Sequence, residues 1–254
     1  MRSNFYRRDW EIAGTEPLEA LRLLGGYYEC PKDPTGKRLG PLVGYAGKYE
    51  ADDGSKRQYV GDIYANFAKA EERPRVYQSW VDRMKFDVPK VDVLLGMPMG
   101  GIAVAFALAP ITSVEARFCF AEKQVIAMAT EALREQSRLA LVRHELHKGD
   151  RVAIVEDVTN NFSTTAEAVG LILEAGAEPV AILSWLNRSS AEIYQTEGLT
   201  LPVISLISKF FPQYRQDDPA VAEDIVAGNV VLKPKNDWLR LMEAMETHRP
   251  RSIW

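Results

Sequence analysis

The sequence predicts an α/β fold: a doubly wound, mainly parallel five-stranded sheet with helices on both faces. Two observations carry that prediction. From Val91 to Ile207, short apolar runs alternate with helical patterns, and such alternation builds a parallel sheet covered on both sides. One run, Val152 to Val155, is uncharged and rich in β-branched residues, as a strand buried on both faces should be. The expected strands lie near 91–95, 115–121, 151–156, 179–186 and 203–207. The expected organisation is an N-terminal region over 1–88, a core over 89–210 and a helical tail over 211–254.

Taken in chain order, Pro17 to Gly26 reads as a short helix stopped by glycine. A Gly/Pro-rich run, Cys30 to Gly47, looks like an insertion. Val91 to Ala109 (VDVLLGMPMGGIAVAFALA) is a strand, a glycine turn and an apolar helix. Gly96, Gly100 and Gly101 let the backbone turn sharply and approach a ligand closely. The turn is neither a Rossmann G-x-G-x-x-G nor a Walker loop, since no Lys-Ser/Thr follows the glycines. Glu115 to Ala121 is the next strand, with Lys123 just beyond its end. The stretch from Gln124 to Leu146 contains no glycine, and Ala127 to Leu133 reads as helix on propensity.

Arg151 to Ala177 (RVAIVEDVTNNFSTTAEAVGLILEAGA) is the most informative segment. An apolar strand ends in the acidic pair Glu156-Asp157, and a polar loop leads to a helix. Thr164 to Glu167 fits a capping box with Thr164 as N-cap. Val169, Ile172 and Leu173 recur on one helical face, and Gly176 sits where the helix should stop. Loop amides and the helix dipole make a phosphate site there. The carboxylates stand at the carboxyl end of a strand, where open α/β sheets bind ligands. The last pattern, Lys235 to Glu246, is an amphipathic helix with Trp238, Leu241, Met242 and Met245 on one side.

Composition bounds the function classes. The chain has 254 residues, 46% hydrophobic content and a mean hydropathy of −0.19, which suits one globular α/β core with a lid. A net charge of −4 gives no general attraction to nucleic acid. No apolar run is long enough to span a bilayer. The N-terminus MRSNFYRRDWE lacks an apolar segment after its basic residues, so no signal peptide is expected and the expected location is cytoplasmic. Cys30 and Cys119 make no disulfide framework, and Cys119 falls in an expected core strand. His144, His147 and His248 show no metal-ligand cluster.

The strand, acidic pair and loop of 151–165 resemble the phosphoribosyl pyrophosphate (PRPP) signature of type I phosphoribosyltransferases. The turn at Gly96 to Gly101 is similar to that family's pyrophosphate loop. Lys123 matches the second member of a basic pair found in the orotate branch. Gly54-Ser55-Lys56 and Tyr59-Val60-Gly61-Asp62 resemble elements of that branch's N-terminal hood, expected over the strand ends. The resemblance covers about residues 18 to 207, most strongly 91 to 187.

The resemblance implies transfer of 5-phosphoribose from PRPP to a nucleobase, orotate first among them, with pyrophosphate leaving. It implies that Glu156 and Asp157 orient the ribose hydroxyls as the catalytic carboxylates. Gly96, Met99, Gly100, Gly101 and Lys123 would face pyrophosphate. Asn160, Asn161, Phe162, Ser163, Thr164 and Thr165 would wrap the 5′-phosphate. Mg²⁺ would be held mainly by substrate oxygens rather than by a protein ligand set. A homodimer is implied, because the family's lid works across a subunit boundary, and the tail helix offers apolar surface for it. The expected partners are PRPP and a base, with no nucleic acid and no membrane. The chain departs from the family at Phe162, where a Gly is usual, at Glu122, where a basic residue is usual, and in the glycine-free segment 124–146. Two other readings stay open: a transferase of the same fold acting on a purine or another pyrimidine, and a non-catalytic PRPP- or nucleotide-binding homologue.

Overall fold

The computed structural model describes residues 9–111, 116–127 and 136–248. They form two compact units. One contains the residues up to Pro17 together with Arg73–Phe210, and the other contains Leu18–Glu72 together with the residues from Phe211 on.

The second unit is built from short strands. β1 (Tyr27–Glu29), β2 (Leu42–Glu50), β3 (Lys56–Gly61) and β4 (Ile63–Ala65) form antiparallel pairs, β1 with β4 and β2 with β3. The helix Pro17–Leu23 ends before Gly25, whose φ of +70° is the left-handed turn that stops a helix. The Gly/Pro-rich run read as an insertion is tied into this unit. Tyr28 donates its hydroxyl to the Pro41 carbonyl at 2.7 Å, and the Arg38 guanidinium donates to Asp62 at 2.5 Å and Asp224 at 3.2 Å. Burial pushes the Asp62 carboxyl up, but hydrogen bonds and charge from Arg38 and Lys32 outweigh it and hold the carboxyl below its ordinary value. The tail helix, Trp238–Thr247, buries Leu241 and packs Trp238, Met242 and Met245 against Tyr28, Cys30, Val43 and Tyr45. The apolar stripe read from the sequence therefore finds its partner within its own unit.

The first unit carries the predicted sheet. Its strands are β5 (Val93–Gly96), β6 (Arg117–Phe120), β9 (Arg151–Thr159), β10 (Glu178–Asn187), β11 (Ile193–Thr196) and β12 (Leu199–Ser208), in the order β11-β12-β10-β9-β5-β6. The five expected strands are all present and mutually parallel. A sixth, β11, pairs antiparallel at one edge, where the sequence analysis places no strand. The hairpin β11–β12 turns through Gly198 at φ +74°, a signal that its flanking polar residues masked.

Side-chain alternation sorts the sheet's two faces. Val152 and Ile154 of β9 and Ile182 of β10 join Ala168, Val169 and Ile172 of the helix Ser163–Glu174 in one cluster. Each such aliphatic side chain, fully buried, contributes roughly 1.5–3 kcal/mol. Leu173, expected on that helical face, is exposed, and Thr165 and Ala168 take its place. On the opposite face, Trp185 of β10 packs edge-on against Trp80 of the helix Pro74–Met84, ring centroids 6.0 Å apart. The helix Gly100–Leu108 lies on that second face too, closely packed on β9.

The segment after β6 is not the helix that propensity suggested at its start. Glu122–Ala127 (β7) and Gln136–Ala140 (β8) pair antiparallel, so Ala127 stands on a strand. The rest of the expected helix, 128–133, lies outside the described residues. Strand pairing with β8 overrides a local preference of a few tenths of a kcal/mol per residue.

Candidate functional site

The glycine turn and the acidic strand meet at the carboxyl ends of two neighbouring parallel strands. Gly96 of β5 lies opposite Val155 of β9, one residue before Glu156. A methyl group at Gly101 would run into the Val155 carbonyl oxygen, and one at Gly100 into the Asp157 carboxylate. At Gly96 it would come within 2.8 Å of the Ile102 Cα. Only glycines allow the start of the helix Gly100–Leu108 to lie this close to β9. The Pro98–Met99 peptide is cis, and Met99 is exposed.

The acidic pair does not sit where the strand ends. β9 continues through both carboxylates to Thr159, which pairs with Asn187. Because the pair lies inside a strand, its two side chains point to opposite faces. Asp157 is half-buried on the face of the glycine turn, next to Gly100. Glu156 is buried on the other face and accepts a hydrogen bond at 2.7 Å from the hydroxyl of Thr165, itself fully buried. Burial above all, then the neighbouring Asp157 charge, pushes the Glu156 carboxyl up to about 7, with the Thr165 hydrogen bond pulling the other way.

The loop between β9 and the helix Ser163–Glu174 also differs from its sequence reading. The helix begins at Ser163 with Phe162 as N-cap and no side-chain cap, so the capping box expected at Thr164 and Glu167 does not form. Its place is taken by Asn161, whose side-chain oxygen accepts from the Ser163 amide at 3.3 Å and the Ser163 hydroxyl at 3.1 Å. Such a side-chain bond back to the chain is what Asn offers in a turn. Phe162 has φ +56°, ψ +20°, a left-handed geometry at the position where the family it resembles usually has glycine. That conformation costs a residue with a Cβ roughly 1–2 kcal/mol. The ring does not turn outward. It packs on Tyr194 of β11 with centroids 5.4 Å apart and joins the core cluster beneath the helix. An aromatic pair contributes roughly 0.5–1.5 kcal/mol beyond its buried area, enough with that burial to offset the backbone strain.

Of the remaining expected residues, Asn160, Asn161, Ser163 and Thr164 fall on this loop and first helical turn, with Thr164 half-buried and Asn161 and Ser163 exposed. Thr165 is on the same turn, but its hydroxyl is committed to Glu156. Lys123 stands exposed on β7, opposite Leu139 of β8. Glu122 lies 3.3 Å from Arg143, which answers the repulsion a carboxylate would otherwise create in a basic position. Among the described residues no group of three or more His, Cys, Asp or Glu side chains could hold a metal ion, and no helix is long and apolar enough to cross a membrane. His144 packs edge-on against Phe120 at 4.6 Å, and Cys119 is a buried thiol raised above its ordinary pKa by burial.

Two features escaped sequence reading: the Glu156–Thr165 hydrogen bond and the Phe162–Tyr194 contact. The first was within reach of period-two alternation, had the strand been extended past the acidic pair. The second joins residues far apart in sequence and had no local signal.

No protein-family model matches the chain. Among curated proteins it is similar to the orotate phosphoribosyltransferase of Thermoanaerobacter sp. (strain X514), 24% identical over 176 residues, 68% of this chain and 82% of the relative. The orotate phosphoribosyltransferase of Caldanaerobacter subterraneus subsp. tengcongensis is 26% identical over the same span and shares. That of Thermotoga maritima is 30% identical over 135 residues, 53% of this chain and 62% of the relative. Among solved structures, orotate phosphoribosyltransferase from Aeropyrum pernix aligns over 83% of this chain and 98% of its own, with TM-score 0.48 and 15% identity. Adenine phosphoribosyltransferase from Thermoanaerobacter pseudethanolicus aligns over 75% of this chain and 99% of its own, with TM-score 0.47 and 17% identity.

Proposed function

We propose that this chain, similar to orotate phosphoribosyltransferases, is a type I phosphoribosyltransferase that transfers 5-phosphoribose from PRPP to a nucleobase nitrogen, with orotate the first candidate. The observation that carries the reading is the convergence of Asp157, two residues before the end of β9, with the Gly96–Gly101 turn that ends the adjacent parallel strand β5.

The reaction places few chemical demands on the protein. The bond from the anomeric carbon to pyrophosphate breaks through a transition state like an oxocarbenium ion, and the base nitrogen supplies the new bond. Catalysis is then positioning and charge stabilisation. The glycine turn brings main-chain amides to the diphosphate without a Cβ in the way. Asp157, half-buried beside Gly100, orients the ribose hydroxyls. The first turn of the helix Ser163–Glu174 offers its amides to the 5′-phosphate, where the positive end of the helix dipole favours an anion. Mg²⁺ fits this donor set as an ion held mainly by substrate oxygens, with Asp157 the accessible carboxylate, and it would neutralise diphosphate charge.

Phe162 in left-handed geometry favours a second reading, a non-catalytic PRPP-binding homologue. The test is a PRPP-dependent product assay with Mg²⁺ and a panel of orotate, uracil, adenine, guanine and hypoxanthine. Nucleoside monophosphate and pyrophosphate in equal amounts with orotate is the expected result. Product with a purine alone reassigns the substrate, and PRPP binding with no product from any base establishes the second reading.

A further inference from the structure

The two carboxylates at the centre of the site have different surroundings, and the difference assigns them different work. In β9 they are consecutive, so they face opposite sides of the sheet. Asp157 opens toward the glycine turn. Glu156 lies beneath the helix Ser163–Glu174, 9% exposed, with Oε1 2.7 Å from the Thr165 hydroxyl. Thr165 has no exposed surface, so its side chain cannot reach a phosphate in solvent. The hydrogen bond instead joins the strand that carries Asp157 to the first turn of the helix that begins at the phosphate loop.

We propose that Glu156 is a positioning residue rather than a ribose ligand: with Thr165 it pins the first turn of the helix Ser163–Glu174 to β9, and so fixes the distance between Asp157 and the 5′-phosphate loop. Besides this bond, the helix start is held by the Asn161 side chain, which accepts from Ser163, and by the Phe162 ring on Tyr194, and neither of these reaches the strand that carries Asp157. The helix has no side-chain cap from its N-cap residue, and that residue is Phe162 in left-handed geometry. PRPP must engage Asp157 through its ribose and the helix amides through its 5′-phosphate at the same time, and a slack of about 1 Å between two such groups can cost on the order of a hundredfold in rate. This assignment rests on the phosphoribosyl reading of the site.

The geometry makes a distinction that charge alone does not. The Thr165 hydroxyl donates to a carbonyl-type oxygen, which a glutamine amide supplies as well as a carboxylate does. A ribose ligand, by contrast, needs the negative charge. The test is titration calorimetry of PRPP with Mg²⁺ against the whole chain and five variants, with melting temperatures recorded for each. Asp157→Asn should weaken binding at least about tenfold while melting near the unaltered chain. Glu156→Gln and Thr165→Ser, which keep the hydrogen bond, should stay within about threefold of the unaltered chain. Glu156→Ala and Thr165→Val, which remove it, should lose about tenfold, the equivalent of roughly 1.4 kcal/mol. Loss in Glu156→Gln equal to that in Asp157→Asn, with Thr165→Val harmless, would make Glu156 a ribose ligand and overturn the proposal. Normal binding by all four Glu156 and Thr165 variants would show the bond to be a spacer and overturn it while sparing the phosphoribosyl reading. Should either disrupting variant fail to fold, Glu156→Gln alone decides. No binding by the unaltered chain removes the parent reading and the proposal together.

Discussion

At Phe162 the sequence and the structure put the same question to stability. The residue holds φ +56° while its ring packs on Tyr194, so strain and packing oppose each other at one position. Two truncations separate them. Phe162→Ala removes the ring and keeps a Cβ in left-handed geometry, whereas Phe162→Gly removes both. Glycine should therefore be more stable than alanine here by about 1–2 kcal/mol, the reverse of the order at an ordinary helical position. Urea unfolding of the two variants measures the difference, and an alanine variant as stable as the glycine one contradicts the left-handed assignment. Glu156 supplies a pH test. Its carboxyl is raised from 4.5 to about 7 in the folded chain, so the folded state keeps a proton that the unfolded chain releases. Its stability contribution is fully present below pH 4.5 and is lost as pH rises through about 7. Relative to Glu156→Gln, which has nothing to titrate, the unaltered chain should lose up to about 3 kcal/mol across that window, at about 1.4 kcal/mol per pKa unit. Parallel stability curves for the two proteins would rule out a buried, neutral Glu156.

At the scale of elements, the sheet was legible because its signals are local and repeated. β5, β9, β10 and β12 are apolar runs bounded by glycine or polar turns, and each fell within a few residues of its expected place. The glycine turn was legible because glycine has few reasons to cluster except close approach, and a Cβ at Gly96, Gly100 or Gly101 would meet backbone or the Asp157 carboxylate. Features decided by pairing were not legible. The pairing of β7 with β8 leaves no local signal, and propensity reads a helix from Ala127, the last residue of β7, because it sees one segment at a time while a hairpin needs two. The Thr-x-x-Glu pattern puts the N-cap of the helix Ser163–Glu174 at Thr164, two residues late, because it fits a capping box, whereas Phe162 is the N-cap and Asn161 holds the turn. The close approach at Gly101 carries its own prediction. A methyl group there meets the Val155 carbonyl oxygen, and overpacking against backbone costs roughly 1–3 kcal/mol or more. Gly101→Ala should lower the melting temperature by several degrees. Gly170→Ala, at a helical position with open space around it, should leave it level or raise it slightly.

For the whole molecule, the expectation of a homodimer changes its physical basis. The tail helix was to supply the apolar surface, but its stripe is spent on Tyr28, Val43 and Tyr45 within its own unit. Uncovered aromatic surface lies instead beside β6, the edge strand of the six-stranded sheet. Phe106 is 67% exposed there and stacks edge-on against Phe118 at 5.4 Å, with Phe120 and His144 continuing the row. An exposed phenylalanine continuing into half-buried aromatics at a sheet edge is apolar surface suited to a partner, and a two-fold axis through such a patch would let it cover its own copy. We therefore expect a dimer formed through this edge. Phe106→Asp places a charge at the exposed end of this row and sacrifices little buried contact, since most of the ring already faces solvent. Light scattering at micromolar concentration should give twice the chain mass of 28.5 kDa for the unaltered protein and a single chain mass for Phe106→Asp. A dimer that survives Phe106→Asp, yet is broken by Leu239→Asp on the exposed side of the tail helix, would return the interface to the tail.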